Sequence, residues 1–562
     1  MAGVKMHDIQ QIDDHTHYDP PFPAQKRWFV LLFALIVLSR AALLLLSQHY
    51  LMADEAQVGL LALDISEGKP VPIFLSGNNY GGGHVIEALF MAPWLKLFGS
   101  HSLIVKAIPA AISCLFMAVL YVVIYRFFSR RLALVSLAIF SFSCSFVSYN
   151  FLVNGSMTTM LFSWIGLYFF FCFYYGDRPR LHHLFWTGLF LGFAVYCFDY
   201  AFFYVMAVVG LLLFRYRLGI LKQWKALLLM ASGVIIGWMP ALAYNFIHHN
   251  FGSYWHYVGE NGSGQLFLQA FLTKALNLVI HDLPGFFNTQ IIDFAPRISW
   301  LSFMPWIVFC LALAYLVIVL RAQIIGFFVA IFRVNPSSSS PDERILCFLY
   351  FFVLYGIIYS LSSSGGQTPR YCILFYPALP VIFSWSFLRL GHSRFKLAIL
   401  CLVLYMAPQL WYVAALARDK TTTEHLIKMN GEDVDKVVKF LEENNLTTVI
   451  TPYEIKWKLM FASDRRIAFA ADIFGFDREE EQNRIVWDRI NRQHVPLTMI
   501  VDKGLQMPRI ALESSNPQAA FDMQSFFVFL RDNGIQYQVT MIGDYVIFHN
   551  FSKHIMFRQM GG

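Results

Sequence analysis

Asp54 and Glu55 are adjacent carboxylates a few residues beyond an apolar run, and they open the stretch Asp54–Gly68, where Ala56, Leu60, Leu63 and Ile65 recur at near-helical spacing. Ionised acids beside a hydrocarbon layer are costly unless water, a cation or a substrate compensates them. At a helix N-terminus they would favour the dipole. As chemistry, one ionised carboxylate beside a hydroxyl is a general base, and a second can orient it or bind a divalent cation. Further along the same loop, Tyr80-Gly81-Gly82-Gly83-His84 precedes Glu87. Three glycines let backbone amides approach an anion, or mark only a mobile turn. Glu87 falls inside an apolar run, an unusual place for an acid without a partner. Arg40, in the outer half of the first apolar run, and Arg370, just before a late one, either snorkel to the lipid interface or grip a phosphate through two parallel hydrogen bonds. His7, Asp8, Asp13, Asp14, His15, His17 and Asp19 have the composition of a metal cluster but lie in a polar tail that reads as disordered.

The surroundings of these residues are set by composition. Hydrophobic residues fill 57% of 562 positions and charged ones only 14%, more apolar surface than a water-soluble chain could hide. A bilayer core needs roughly 20 apolar residues per helix. Eleven runs come close: 28–47, 103–125, 132–149, 155–175, 181–198, 200–214, 226–247, 300–320, 345–362, 371–388 and 397–416. The fifth and sixth share a turn of little more than Asp199. With the N-terminus inside, seventeen Lys and Arg residues fall in short cytoplasmic loops, and six (Lys69, Lys96, Lys106, Lys274, Arg297 and Arg370) in the longer outside loops before residue 418, the bias expected of an inner-membrane protein. The net charge of +7 is thus a topology signal, and no basic stripe or motif points to nucleic acid. All eight cysteines lie in apolar segments without a CxxC pair, which excludes a disulfide framework.

Residues 1–27 therefore read as a cytoplasmic tail whose following span is an uncleaved anchor, 28–417 as the membrane domain with its chemistry in the outside loop 48–102, and 418–562 as a soluble domain on the non-cytoplasmic side. A second long outside loop, 248–299, holds Gln265–His281, which suits a helix lying in the interface plane. Ser337–Ser340 marks a flexible inside linker. After residue 418 the pattern becomes charged and alternating: helices are expected over Glu432–Asn445, Tyr453–Ser463, Arg478–Arg492 and Asp522–Asn533, and strands over Thr447–Thr451, Arg466–Ala471, Pro496–Val501, Gln536–Met541 and Asp544–His549. The fold class is mainly α, a polytopic transmembrane bundle of about eleven spans with a C-terminal soluble α/β domain. That domain lacks a Gly-rich phosphate loop and is not read as nucleotide-binding.

The series Asp54-Glu55-Ala56, Glu67-Gly68-Lys69, Asn79-Tyr80-Gly81-Gly82, Glu87-Ala88, Ala92-Pro93 and Leu97-Phe98-Gly99 resembles the first outside loop of bacterial GT-C glycosyltransferases, the multi-span relatives of protein O-mannosyltransferases and lipid A aminoarabinose transferases. Arg370-Tyr371-Cys372-Ile373-Leu374-Phe375-Tyr376-Pro377 is similar to the segment that opens a late span in that group, and Tyr453, Trp457 and Leu459-Met460-Phe461-Ala462-Ser463 to a motif of its soluble domain. The resemblance implies an inverting transfer of a sugar from a polyprenyl-phosphate donor to a glycan, lipid or protein acceptor at the membrane. Asp54 would be the base with Glu55 beside it, while Arg40, Tyr80, His84, Glu87, Arg370 and Tyr371 would bind the donor phosphate and substrate. No cofactor is demanded; a divalent cation stays open, because the loop Tyr149–Gly155 holds no acid where many relatives carry one. The glycine stretch also has two residues more before Glu87 than the pattern. Two other classes compete, a transporter or flippase of lipid-linked glycans and an inert membrane scaffold; the first would favour repeated halves with interrupted helices, and no such repeat is visible.

The charge split of the loops places residue 430 and the Ser337–Ser340 linker on opposite faces of the membrane. Thiol labelling from outside should reach a cysteine at 430 and not one in the linker; labelling of both would refute the arrangement.

Overall fold

The computed structural model describes residues 22–47, 51–75, 82–143, 155–176, 180–216, 224–248, 267–285, 300–330, 344–361, 369–374, 376–418, 431–471, 486, 488–502 and 523–555. The N-terminal His/Asp cluster, Tyr80, the Ser337–Ser340 linker and most of the expected helix Arg478–Arg492 lie outside the described residues.

The apolar runs form helices α1 (Phe22–Ser47), α4 (Ser102–Phe127), α5 (Arg130–Ser141), α6 (Ser156–Tyr174), α7 (His182–Cys197), α8 (Phe202–Tyr216), α9 (Trp224–Ile247), α11 (Trp300–Val319), α13 (Leu346–Leu361), α14 (Ala378–Ser393) and α15 (Phe395–Arg418). Between α1 and α4 lie α2 (Ala53–Ser66) and α3 (Gly82–Phe98), and α10 (Phe267–Asn277) precedes α11. Among the described residues, five helices are long and apolar enough to cross a membrane by themselves, and four more are shorter apolar helices. Large apolar side chains point outward, as at Leu38 (66% exposed) and Phe246 (73%), because lipid is their solvent. The chain is an integral, multi-pass membrane protein.

The fifth and sixth runs are separate helices, as expected, joined by a 3-10 turn over Asp199–Ala201. Two details depart from the expected spans. The tenth begins as a 3-10 turn, Pro369–Leu374, and becomes α-helical only at Ala378, just past Pro377; a proline fixes φ and disfavours the helical region for the residue before it. The loop expected after the eighth run contains α12 (Arg321–Ala330), a helix too short to span and so not distinguishable from a loop by hydropathy.

Helix α7 lies in backbone contact with α9, and the cause is in the sequence. Gly188 and Gly192 on α7 face Gly233 and Gly237 on α9, each spaced by four. A Cβ on Gly188 would overlap the Met230 carbonyl oxygen, one on Gly192 that of Val234, one on Gly233 that of Phe185 and one on Gly237 that of Leu189. Lipid supplies no hydrophobic drive between helices, so backbone contact through small residues holds them. Packed beside this pair are α6 and then α4, while α5, α14, α11 and α15 form the opposite side.

The C-terminal domain has α16 (Gly431–Glu443), β1 (Thr448–Ile450), α17 (Tyr453–Ala462), β2 (Ala468–Ala470), β3 (Thr498–Asp502), α18 (Met523–Asp532), β4 (Gln538–Ile542) and β5 (Tyr545–His549). The strands make one sheet in the order β2-β1-β3-β5-β4. β1 is parallel to β2 and β3, with Val449 opposite Phe469 and Thr498, and the β4–β5 hairpin joins antiparallel through β5, with Ile500 opposite Ile547. One sheet face packs with α16, α17, α2 and α3 in a single apolar cluster containing Ala56, Leu60, Met91, Val437, Trp457, Phe461 and Ile547. The soluble domain is thereby bonded to the membrane domain through α2.

Replacing Gly237 by Val drives two methyl groups into backbone that cannot move aside, so a cost of about 3 kcal/mol or more is expected, read as a drop in thermal stability of the detergent-purified protein. Gly391→Ala, whose added carbon would rest 3.7 Å from the Ala398 Cβ, should be near neutral. A neutral Gly237→Val would contradict the packing.

Candidate active site

Helix α2 begins at an extended Met52, and the third residue in, Glu55, turns its carboxylate back to accept the Met52 backbone N–H at 2.8 Å. That closes one of the donors every helix start leaves open. The same carboxylate pairs with Lys106 of α4, Nζ lying 3.1 Å from Oε2 and 3.3 Å from Oε1. Both side chains are buried, at 2% and 3% exposure. A carboxylate tied this way is a fixed structural anion, and removing either partner would strand the other charge at a cost of about 3–5 kcal/mol.

Asp54, one residue earlier, points the other way and is exposed. Its Oδ1 accepts a hydrogen bond of 3.0 Å from the Tyr453 hydroxyl, which also lies 3.4 Å from Gln57 Oε1. Among the described residues no partner meets Oδ2. The two adjacent acids are thus separated in role by a single helical step: Glu55 faces α4, and Asp54 is exposed, with one oxygen held and, among the described residues, one open. At the other end of α2, Arg465 of the soluble domain contacts Asp64 at 2.6 Å and Glu67 at 3.1 Å, and Lys69 meets the same two acids at 2.5 and 3.1 Å. Midway, Phe461 fills the space a side chain at Gly59 would need, its ring 2.7 Å from an ideal Cβ.

Glu87 is fully buried on α3, a helix that is not among those long and apolar enough to span a membrane. Oε1 accepts the Thr158 hydroxyl at 2.9 Å, and Oε2 accepts the backbone N–H of Gly155 at 3.2 Å. Gly155, at φ 72°, is the N-cap of α6, so Glu87 caps a neighbouring helix. Gly83 makes this approach feasible, since a Cβ there would meet the Gly155 Cα at 2.7 Å. Burial pushes the Glu87 carboxyl up to about 8; the Thr158 and Gly155 bonds oppose that rise and the charge of Glu55 adds to it. His84, half-buried, sits one turn earlier on the same helix.

Arg40 is turned into the bundle, not toward lipid: it is 3% exposed, and Nη2 donates to the Ser141 carbonyl at the end of α5, where a cation favours the helix dipole. Arg370 and Tyr371 have their backbone in the Pro369–Leu374 turn, which packs against the Asp199–Ala201 turn and the π-helical turn Leu278–Asp282 that continues α10; their side chains lie outside the description. Among the described residues no three His, Cys, Asp or Glu gather as metal ligands.

Sequence reasoning overlooked Lys106 as the partner of Glu55 and Tyr453 as the partner of Asp54. Lys106 carried a signal, a basic residue inside the start of an apolar run, which needs a buried anion. Tyr453 carried none beyond its motif.

Residues 85–244 match the family model PMT_2, dolichyl-phosphate-mannose-protein mannosyltransferase. ArnT from Cupriavidus metallidurans bound to undecaprenyl phosphate superposes with a TM-score of 0.60 at 13% identity, over 93% of this chain and 98% of that one. Its apo state gives 0.58, again at 13% identity, over 93% and 97%. The archaeal oligosaccharyltransferase AglB from Archaeoglobus fulgidus reaches only 0.44 at 12% identity, over 86% and 70%. No curated protein matches by sequence. The likeness to ArnT is one of fold: a helical membrane bundle followed by an α/β domain, the two aligned together over 93% of this chain.

Glu87 has an ordinary value of 4.5 when unfolded and about 8 when folded. Between those values the folded state binds the extra proton, so its stability declines as pH rises from about 4.5 toward 8. Glu87→Gln does not titrate and can accept only one of the two hydrogen bonds. It should melt lower than wild type at pH 5.5 but lose less on going to pH 8. Parallel melting curves for the two proteins across that range would show that Glu87 is not held neutral.

Proposed function

We propose that this enzyme takes a sugar from a polyprenyl-phosphate donor on the non-cytoplasmic side of a bacterial inner membrane and transfers it to a hydroxyl of a surface glycan, lipid or protein. The observation that carries this reading is Asp54: an exposed acid at the head of α2, one oxygen held by Tyr453 and the other open. The ArnT structure that superposes on the chain holds undecaprenyl phosphate, and the PMT_2 description names a dolichyl-phosphate sugar; both support a lipid-phosphate donor. The charge split of the loops supports placing α2 and the α/β domain outside.

In this mechanism Asp54 Oδ2 takes the proton of the acceptor hydroxyl as its oxygen attacks the anomeric carbon. The bond from that carbon to the phosphate oxygen breaks, its electron pair leaves with the phosphate, and the configuration inverts. Arg370, in the turn beside α14, stabilises the charge that develops there. The inward Arg40 holds the α5 terminus that helps wall the bundle, and Glu87 holds α3 against α6; both act by shaping the chamber. The lipid phosphate supplies the activation, so no nucleotide is consumed at this step.

Asp54→Asn preserves size while abolishing the base. In nanodiscs, with a lipid extract of a deletion strain supplying unconsumed donor and acceptor, its transfer rate should fall about 10²–10⁴-fold with the protein still folded. Arg370→Lys should be weaker than wild type and Arg370→Ala weaker still. Transfer by Asp54→Asn at the wild-type rate would remove Asp54 from this role.

A further inference from the structure

We infer that Tyr453 of the soluble domain is a positioning residue for the base, so that the active site is completed across the domain boundary. The inference rests on the reading of Asp54 as the base. Three observations carry it. The Tyr453 hydroxyl donates to Asp54 Oδ1 at 3.0 Å and lies 3.4 Å from Gln57 Oε1, one turn further along α2. Gln57 is 3% exposed, so the hydroxyl is aimed between a fixed amide and a mobile carboxylate. Helix α17, which carries Tyr453, has little freedom to withdraw: Phe461 rests on Gly59, Arg465 is bonded to Asp64 and Glu67, and Trp457 is buried in the shared cluster with its ring 6.1 Å from that of Tyr453 in a near-perpendicular arrangement.

The effect on chemistry follows from where the bond falls. An exposed Asp at a helix start samples several rotamers, and only some direct an oxygen at an incoming hydroxyl. A donor on Oδ1 selects one rotamer and leaves Oδ2 as the proton acceptor, the preorganisation a general base requires. The other charged or titratable groups around this end of α2 are Glu55, paired to Lys106 of α4, and the buried Glu87 of α3; none of them bonds Asp54 among the described residues.

Tyr453→Phe keeps the ring, and hence the packing, and deletes only the hydroxyl. In nanodiscs with the deletion-strain lipid extract titrated as the source of donor and acceptor, kcat should fall about tenfold, while the extract concentration giving half-maximal rate stays within twofold and the melting temperature stays at the wild-type value. A structural role alone would lower thermal stability and leave kcat of the folded protein unchanged. Wild-type kcat in Tyr453→Phe, with Asp54→Asn inactive, would overturn the inference while leaving the base assignment intact; an active Asp54→Asn would overturn both.

Discussion

The buried pair of Glu55 and Lys106 is the constraint on which the rest of the site depends. A short helix following a transmembrane span has no reason of its own to stand at one angle to the bilayer. Glu55 gives it one, because its carboxylate joins the helix start at Met52 to the first turn of α4. Once that end of α2 is pinned, helical geometry turns Asp54 about 100° away from α4 and toward water. The pair is weak as a source of net stability, since desolvating two charges costs about what their attraction returns. Its contribution is specificity of placement, with one acid committed to structure so that its neighbour is left free.

Helix α2 also joins two solvents. One side packs on α3 and the entry to α4, and the other on α17 of the C-terminal domain. Such an element cannot be amphipathic in the usual sense. Its burial runs nearly without break from Glu55 to Leu60, and the small residues Ala53, Ala56, Gly59 and Ala62 let helices approach on both sides. The charged cluster of Asp64, Glu67, Lys69 and Arg465 closes the far end, where Asp464 and Arg465 adopt left-handed backbone, at φ 49° and 60°, to turn out of α17. That conformation is unfavourable for residues with a Cβ, and Arg465 is held in it by two carboxylates.

Much of this was legible in the sequence. Every expected strand of the C-terminal domain falls within two residues of an observed one, because short runs of β-branched and apolar residues between turn residues mark strands even where, as in β1 and β5, every position is buried. The eleven apolar runs each contain a helix for the parallel reason that lipid tolerates few polar residues. What stayed hidden depends on contacts distant in the chain. Tyr453 lies 399 residues from Asp54, and no local pattern relates them. The partners of Glu87, Thr158 and Gly155, belong to another helix and its cap, so the sequence shows the acid without them. The glycines of α7 and α9 are spaced by four in plain view, yet only the structure pairs them.

The central claim is that the acceptor side of the reaction faces Asp54 while the lipid phosphate lies toward the Arg370 turn. A structure of the Asp54→Asn enzyme with undecaprenyl phosphate bound in a lipid nanodisc measures this directly. The account predicts the phosphate within hydrogen-bonding reach of Arg370, with room for a sugar between it and residue 54. A phosphate resting against residue 54, with Arg370 remote from it, would contradict the account.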